Sequence, residues 1–100
     1  MFKAWPIESV EAEFRRLKVL QYLASATGYE ASATVLRLHC GRIGVPTTTD
    51  QVVAAMAWLV EQELVTSRVY KDEPIIRLSP KGRDVAHGNS HVPGVMRPDP

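Results

Sequence analysis

Apolar residues recur along the first quarter of the chain at the spacing of a helix. Phe14, Leu17, Val19, Leu20 and Leu23 form the stripe of an amphipathic helix over about residues 8–26. Pro6 lies just before it. Glu8, Glu11 and Glu13 fall where the positive end of the helix dipole favours acids. Thr27-Gly28 closes the helix, because glycine readily takes the left-handed conformation that ends one. A second helix is predicted from about Ser32 to Arg42, with Ser32 as its N-cap. Val35, Leu36, His39 and Ile43 follow helical spacing there, and Gly41, Gly44 and Val45-Pro46 stop it. The third pattern, PTTTDQVVAAMAWLVEQEL, is the clearest. Thr48 and Gln51 have capping-box spacing, with Thr49 or Asp50 as alternative caps. Val52, Met56, Leu59, Val60 and Glu63 share one side, and the helix is expected to end near Gln62 or Glu63.

The period then changes from helical to alternating. In LVTSRVY, Val65, Ser67 and Val69 fall on one face and Thr66, Arg68 and Tyr70 on the other. KDEP reads as a polar turn, with Pro74 where the next strand starts, and IIRLS as that strand. Two strands around a tight loop make a hairpin. Ser79-Pro80 restarts a helix, Ser as cap and Pro at the first helical position, so KGRDVAH is a short fourth helix. GNSHVPGVMRPDP reads as an extended tail. Val92, Val95 and Met96 leave two readings open for it, packing across a dimer or hanging free.

The order helix, helix, helix, hairpin predicts an α+β, mostly helical fold, a winged helix-turn-helix. It has three helices, a two-stranded wing, a short C-terminal helix and the tail. A plain helical bundle would leave the alternating strands unexplained. The division is a winged-helix domain over residues 1–88 and a Gly/Pro-rich tail over 89–100.

Three runs carry a more specific likeness: MAWLVEQELVTSR, RLSPKGRDVAHG and HVPGVMRP. Together they resemble the small winged-helix proteins of Mu-like phages and prophages, often labelled ArsR-like transcriptional regulators. The likeness spans about Arg16 to Pro98. It implies DNA binding and transcription regulation, with the third helix in the major groove. One departure bears on that implication. Similar proteins tend to carry basic residues at the start of the third helix, whereas TTTDQVVAAM holds Asp50 and no Lys or Arg.

Length and composition add bounds. One hundred residues suit one domain, and 45% hydrophobic with 23% charged is ordinary for a globular protein. No apolar run is long enough to span a membrane, and no leader pattern opens the chain. The single cysteine, Cys40, cannot form an internal disulfide, so the chain is expected to be intracellular, and the phage resemblance implies the cytoplasm of a bacterial host cell. A net charge of +1 is low for a nucleic-acid binder, whose affinity rests on Lys and Arg neutralising phosphates.

On this reading the DNA-binding candidates are Thr48, Thr49 and Gln51 at the reading helix, with Arg37, Arg42 and Lys71 on phosphates. Gln51 could pair bidentately with adenine, and threonine hydroxyls could meet phosphates or bases. The plainer alternative is that Thr47, Thr48 and Thr49 only form a turn and cap. Arg15, Arg16 and Lys18 could touch the DNA backbone, but such clusters more often pair with carboxylates. Lys71 is opposed by Asp72 and Glu73. A metal site is not expected: Cys40 and His39 are adjacent and diverge on a helix, and His87 and His91 lie far along the chain. Cys40 reads instead as a small buried apolar residue. No phosphate loop or nucleophile motif is present, so neither an enzyme nor a cofactor is expected. Trp58 is expected in the core or a dimer contact, and Trp5 on a partner chain. The expected partners are double-stranded DNA and a second copy, as a two-fold dimer on a palindromic site. The rival is a winged helix that binds a protein, such as a phage assembly or host-modulating factor.

Overall fold

The amphipathic stripe at the start of the chain folds as α1 (Ile7–Ser25) in a computed structural model that describes residues 7–99. Readings of Trp5, Pro6 and the Glu8 side chain lie outside the described residues. One 3-10 turn (Thr27–Tyr29) follows, with Gly28 at φ 70° as expected for the stop signal. Strand β1 (Glu30–Ser32) leads into α2 (Ala33–Arg42), and α3 (Thr49–Glu61) comes after an irregular turn. Strands β2 (Val65–Tyr70) and β3 (Glu73–Leu78) form the hairpin, and α4 (Pro80–Ala86) packs beside α1. The result is a mostly helical α+β domain of four helices and a three-stranded antiparallel sheet.

The sheet corrects the expected two-stranded wing. Its order is β1-β3-β2, with Glu30 opposite Arg77, Ala31 opposite Ile76 and Ser32 opposite Ile75. Three residues are too few to display alternation, so β1 was not legible in the chain. The expected four-residue turn contracts to Lys71-Asp72, both at positive φ (51° and 64°), the backbone that closes a two-residue hairpin. Pro74 therefore lies inside β3, opposite Val69. The ladder tolerates it because β1 reaches only Ile75–Arg77, so Pro74 has an unpaired flank on that side.

The core is built from Leu20, Leu23, Leu36, Leu59 and Leu64, all fully buried, with Val19, Val52 and Ile76. Each such side chain contributes about 1.5–3 kcal/mol on burial, against roughly 1 kcal/mol for a typical hydrogen bond. The apolar stripes therefore set the packing, and polar contacts refine it. Two helical readings need correction. Glu63 leaves the α3 stripe, since the helix ends at Glu61 and Glu63 takes φ 61° beyond the Gln62 cap. In α2, Val35 and Ile43 are about 40% exposed, and the buried face is Ala33, Leu36 and Cys40.

The tail is settled by docking on its own chain. Val95 is buried, and Val92, Met96 and Trp58 pack against the core. The Met96 amide donates to the Glu13 carbonyl, and Arg16 Nη1 donates to the Gly94 carbonyl at 2.9 Å. The Arg16 guanidinium lies 4.2 Å from the centre of the Trp58 ring. Gly94 has φ +100°, and a Cβ there would fall 2.4 Å from the ring of Trp58. Only glycine fits both the backbone and the space.

Gly94→Ala is expected to lose about 2–3 kcal/mol through steric conflict and backbone strain. A thermal melt reads this as a fall in Tm of roughly 10 °C or more. An unchanged Tm would show that the tail does not hold the fold.

Candidate interaction surface

The surface begins at the turn between α2 and α3. Val45 is buried, and its carbonyl accepts from the Thr47 hydroxyl at 2.8 Å. Arg15, only 4% exposed, donates from Nε to Thr47 Oγ1 (2.9 Å) and from Nη2 to the Pro46 carbonyl (3.2 Å). An irregular turn has no ladder to satisfy its carbonyls, and these side chains supply the donors. The expected carboxylate partners of the α1 bases are thus replaced. Arg15 serves the turn, Arg16 the tail and Trp58, and Lys18 donates to Gln21 while lying over Phe14. One ion pair is present among the described residues, Arg68 with Glu30 at 3.0 Å.

At the start of α3 the capping box forms as its spacing implied. Gln51 N–H donates to Thr48 Oγ1 (3.1 Å), and Thr48 N–H donates to Gln51 Oε1 (2.9 Å). Gln51 Oε1 is the acceptor that a bidentate adenine pairing would use, and it is already engaged. Thr49 is exposed in the first turn beside Asp50. Arg37 is half-buried and Arg42 exposed, both on α2. Five residues apart on a helix, they point about 140° from one another. Lys71 is exposed at the tip of the hairpin, near the Tyr70 ring. Of the six candidates the structure joins Thr48 and Gln51, with Thr49 next to them, and it gathers no basic face from the rest.

What it gathers instead is apolar. The exposed positions of α3 are Thr49, Asp50 and Gln51 in its first turn, then Val53, Ala54, Ala57 and Glu61, with no cation among them. Val53, Ala57 and Val60 face Ser67, Pro74 and Ile76 across a groove of about 380 Å³, bordered by Glu61. Val69, on the same face of the sheet as Ser67 by strand alternation, is 71% exposed. The signal was present in the chain. AAMAWLV is apolar nearly all round the helix, whereas a helix packed on one side has a polar back.

The hairpin is tied to α2 by Glu73, whose carboxylate accepts from the Thr34 amide at 2.7 Å. Hydrogen bonds from the Thr34 side chain and backbone hold the Glu73 carboxyl below its ordinary range. Between α1 and α2, Phe14, Lys18, Tyr22 and Ile43 surround His39 in an open cleft, with the Tyr22 and His39 rings 4.5 Å apart. Burial, then the charges of Arg42 and Lys18, lower the His39 pKa. Cys40 is buried as expected, and burial raises its thiol pKa. No group of three or more His, Cys, Asp or Glu able to hold a metal occurs among the described residues. No described helix is long and apolar enough to cross a membrane.

These features define a small α+β domain with an apolar groove between its third helix and its hairpin. The chain is 34% identical over 94 residues, 94% of its own length and 97% of the relative's, to the uncharacterized protein gp26 of Escherichia phage Mu. It belongs to the family of that phage protein. No protein-family model matches the chain, and no solved structure matches it.

Arg15→Met is expected to destabilise the fold by about 2–4 kcal/mol, since the Pro46 carbonyl loses its donor. Chemical denaturation measures the loss. A histidine with a lowered folded-state pKa destabilises the fold as pH drops. The loss starts below the ordinary value of 6.5 and stops growing below the folded value. Thermal melts from neutral to mildly acidic pH should therefore fall less steeply for His39→Gln than for the native chain.

Proposed function

We propose that this chain is a winged helix-turn-helix domain that works by docking a protein, with the α3–hairpin groove as its docking surface. The observation that carries this reading is the outward face of α3, apolar in the middle and acidic at both ends. Across α2, α3 and the hairpin, the bases Arg37, Arg42, Arg68, Lys71 and Arg77 stand against the acids Asp50, Glu61, Asp72 and Glu73, and Arg68 is further paired with Glu30 of β1. Duplex affinity rests on displaced counterions, and a protein making about 6–10 phosphate contacts derives most of its binding from them. Five dispersed bases, one of them paired and none on α3, opposed by four acids supply little of that. An apolar groove suits a partner segment that offers apolar side chains, and its acidic border suits a cation beside them.

The same reading makes the chain a binding module rather than an enzyme. Glu61 is the one titratable group lining the groove, and acid–base chemistry needs a second group to work with it. Kinship with a phage protein supports reading such a module as an assembly or host-modulating factor acting inside the bacterial cell.

A second reading, a DNA-binding transcription regulator, is favoured by the element order and by three exposed groups, Thr49, Arg42 and Lys71. In that reading α3 enters the major groove and the hairpin is the wing.

Fluorescence anisotropy of a labelled random-sequence duplex separates the two. Protein docking predicts no saturable binding even at low salt, in a sample shown to be folded. Saturable binding that weakens steeply with salt would establish phosphate contacts and overturn the reading.

A further inference from the structure

We infer that the hairpin face receives a second copy of this chain, through antiparallel pairing of β2 with β2 across a two-fold axis. The inference rests on the protein-docking reading above and names its partner. In the order β1-β3-β2, β2 is an outer strand with one edge unpaired. Exposed edges are normally guarded by shortness, proline, a bulge or an inward-pointing charge. The opposite edge, β1, is guarded by its length of three residues. By contrast β2 runs for six residues, VTSRVY, without proline. Its inward positions, Val65, Ser67 and Val69, are uncharged, and its one charge, Arg68, is on the outward face and paired with Glu30 of the same chain.

The pairing register follows from the side chains. A two-fold axis perpendicular to the sheet keeps inward residues opposite inward ones, so the axis must pass through a residue of β2. Centred on Arg68, it would set two guanidinium groups against each other. Like charges directly opposite are unfavourable. Centred on Ser67, it lays Val69 beside Val65 of the second copy on the inward face. It also sets Thr66 beside Arg68 on the outward face. Just beyond the strands, Lys71 comes level with Glu63 of the other copy, twice by symmetry. Both residues are exposed. This register covers Val69, the most exposed of the large apolar residues, at 71%. It joins two three-stranded sheets into one of six, with both α3 grooves on the same side. The second copy thus extends the hairpin face that borders the docking groove, and covers Val69 at its margin.

Sedimentation equilibrium of the full chain, over a concentration series reaching the millimolar range, tests the inference. The native chain is expected to form dimers. Val69→Lys places a charge on the inward face and should leave monomers, with an unchanged melt in dilute samples where the native chain is itself monomeric and the position exposed. Lys71→Glu should weaken the dimer about fivefold, the scale of two exposed ion pairs, and adding Glu63→Lys should restore it. A native chain that stays monomeric at millimolar concentration would overturn the inference. So would a dimer unaffected by Val69→Lys, or one that the charge exchange does not rescue. None of these outcomes depends on the duplex titration. Failure of self-pairing is therefore distinguishable from failure of the protein-docking reading.

Discussion

A buried guanidinium holds the turn on which the candidate surface depends. Arg15 is the buried charged residue of the described fold, and it reaches from α1 to Thr47 and the Pro46 carbonyl. A charge in a water-poor site is costly unless its donors are used. Here they are spent on a segment with no ladder of its own. Arg15 and the Thr47 hydroxyl together fix where α3 begins, and the capping box at Thr48 fixes its first turn. From that start, Val52, Met56 and Leu59 point into the core, and Val53, Ala57 and Glu61 are left outside. The position of the groove is thus a consequence of the turn.

The second organising constraint is close approach at the junction of β3 and α4. Ser79 Oγ donates to the Glu63 carbonyl and accepts from the Gly82 amide, while the Ser79 amide donates to the Leu64 carbonyl. A Cβ on Gly82 would meet the Leu64 carbonyl oxygen at 2.0 Å. The LSPKG run thereby does two tasks, capping α4 and clamping it over the end of α3. The tail, seated on Trp58, is bonded to α1 through the Glu13 carbonyl and Arg16. The hairpin projects free of that clamp, with its outer edge uncovered.

Much of the fold was legible because its cues are local. Caps at Ser32, Thr48 and Ser79, the stop near Gly28 and the change of period at Val65 all formed close to their expected positions. The misreadings have a common cause. Strand β1 exists because β3 offers it an edge, so its three residues carry no pattern of their own. Arg15 and Arg16 looked like helix-surface charges, and nothing within α1 announces that their partners lie at residues 46, 47 and 94. The candidate residues at the start of α3 followed helix-turn-helix logic. That logic gave less weight to the apolar outer face, although Val53, Ala54 and Ala57 were in plain view.

The sequence by itself determined which segments become helices and which alternate, where each helix is capped, and that α3 carries no cation. Those properties belong to residues near one another along the chain, and local backbone and side-chain chemistry decides them. Tertiary structure alone decided that a third strand completes the sheet. It also decided that the tail packs on Trp58 and that an apolar groove opens between α3 and the hairpin. Each of these joins residues distant along the chain, and long-range pairing leaves no periodic trace in either partner.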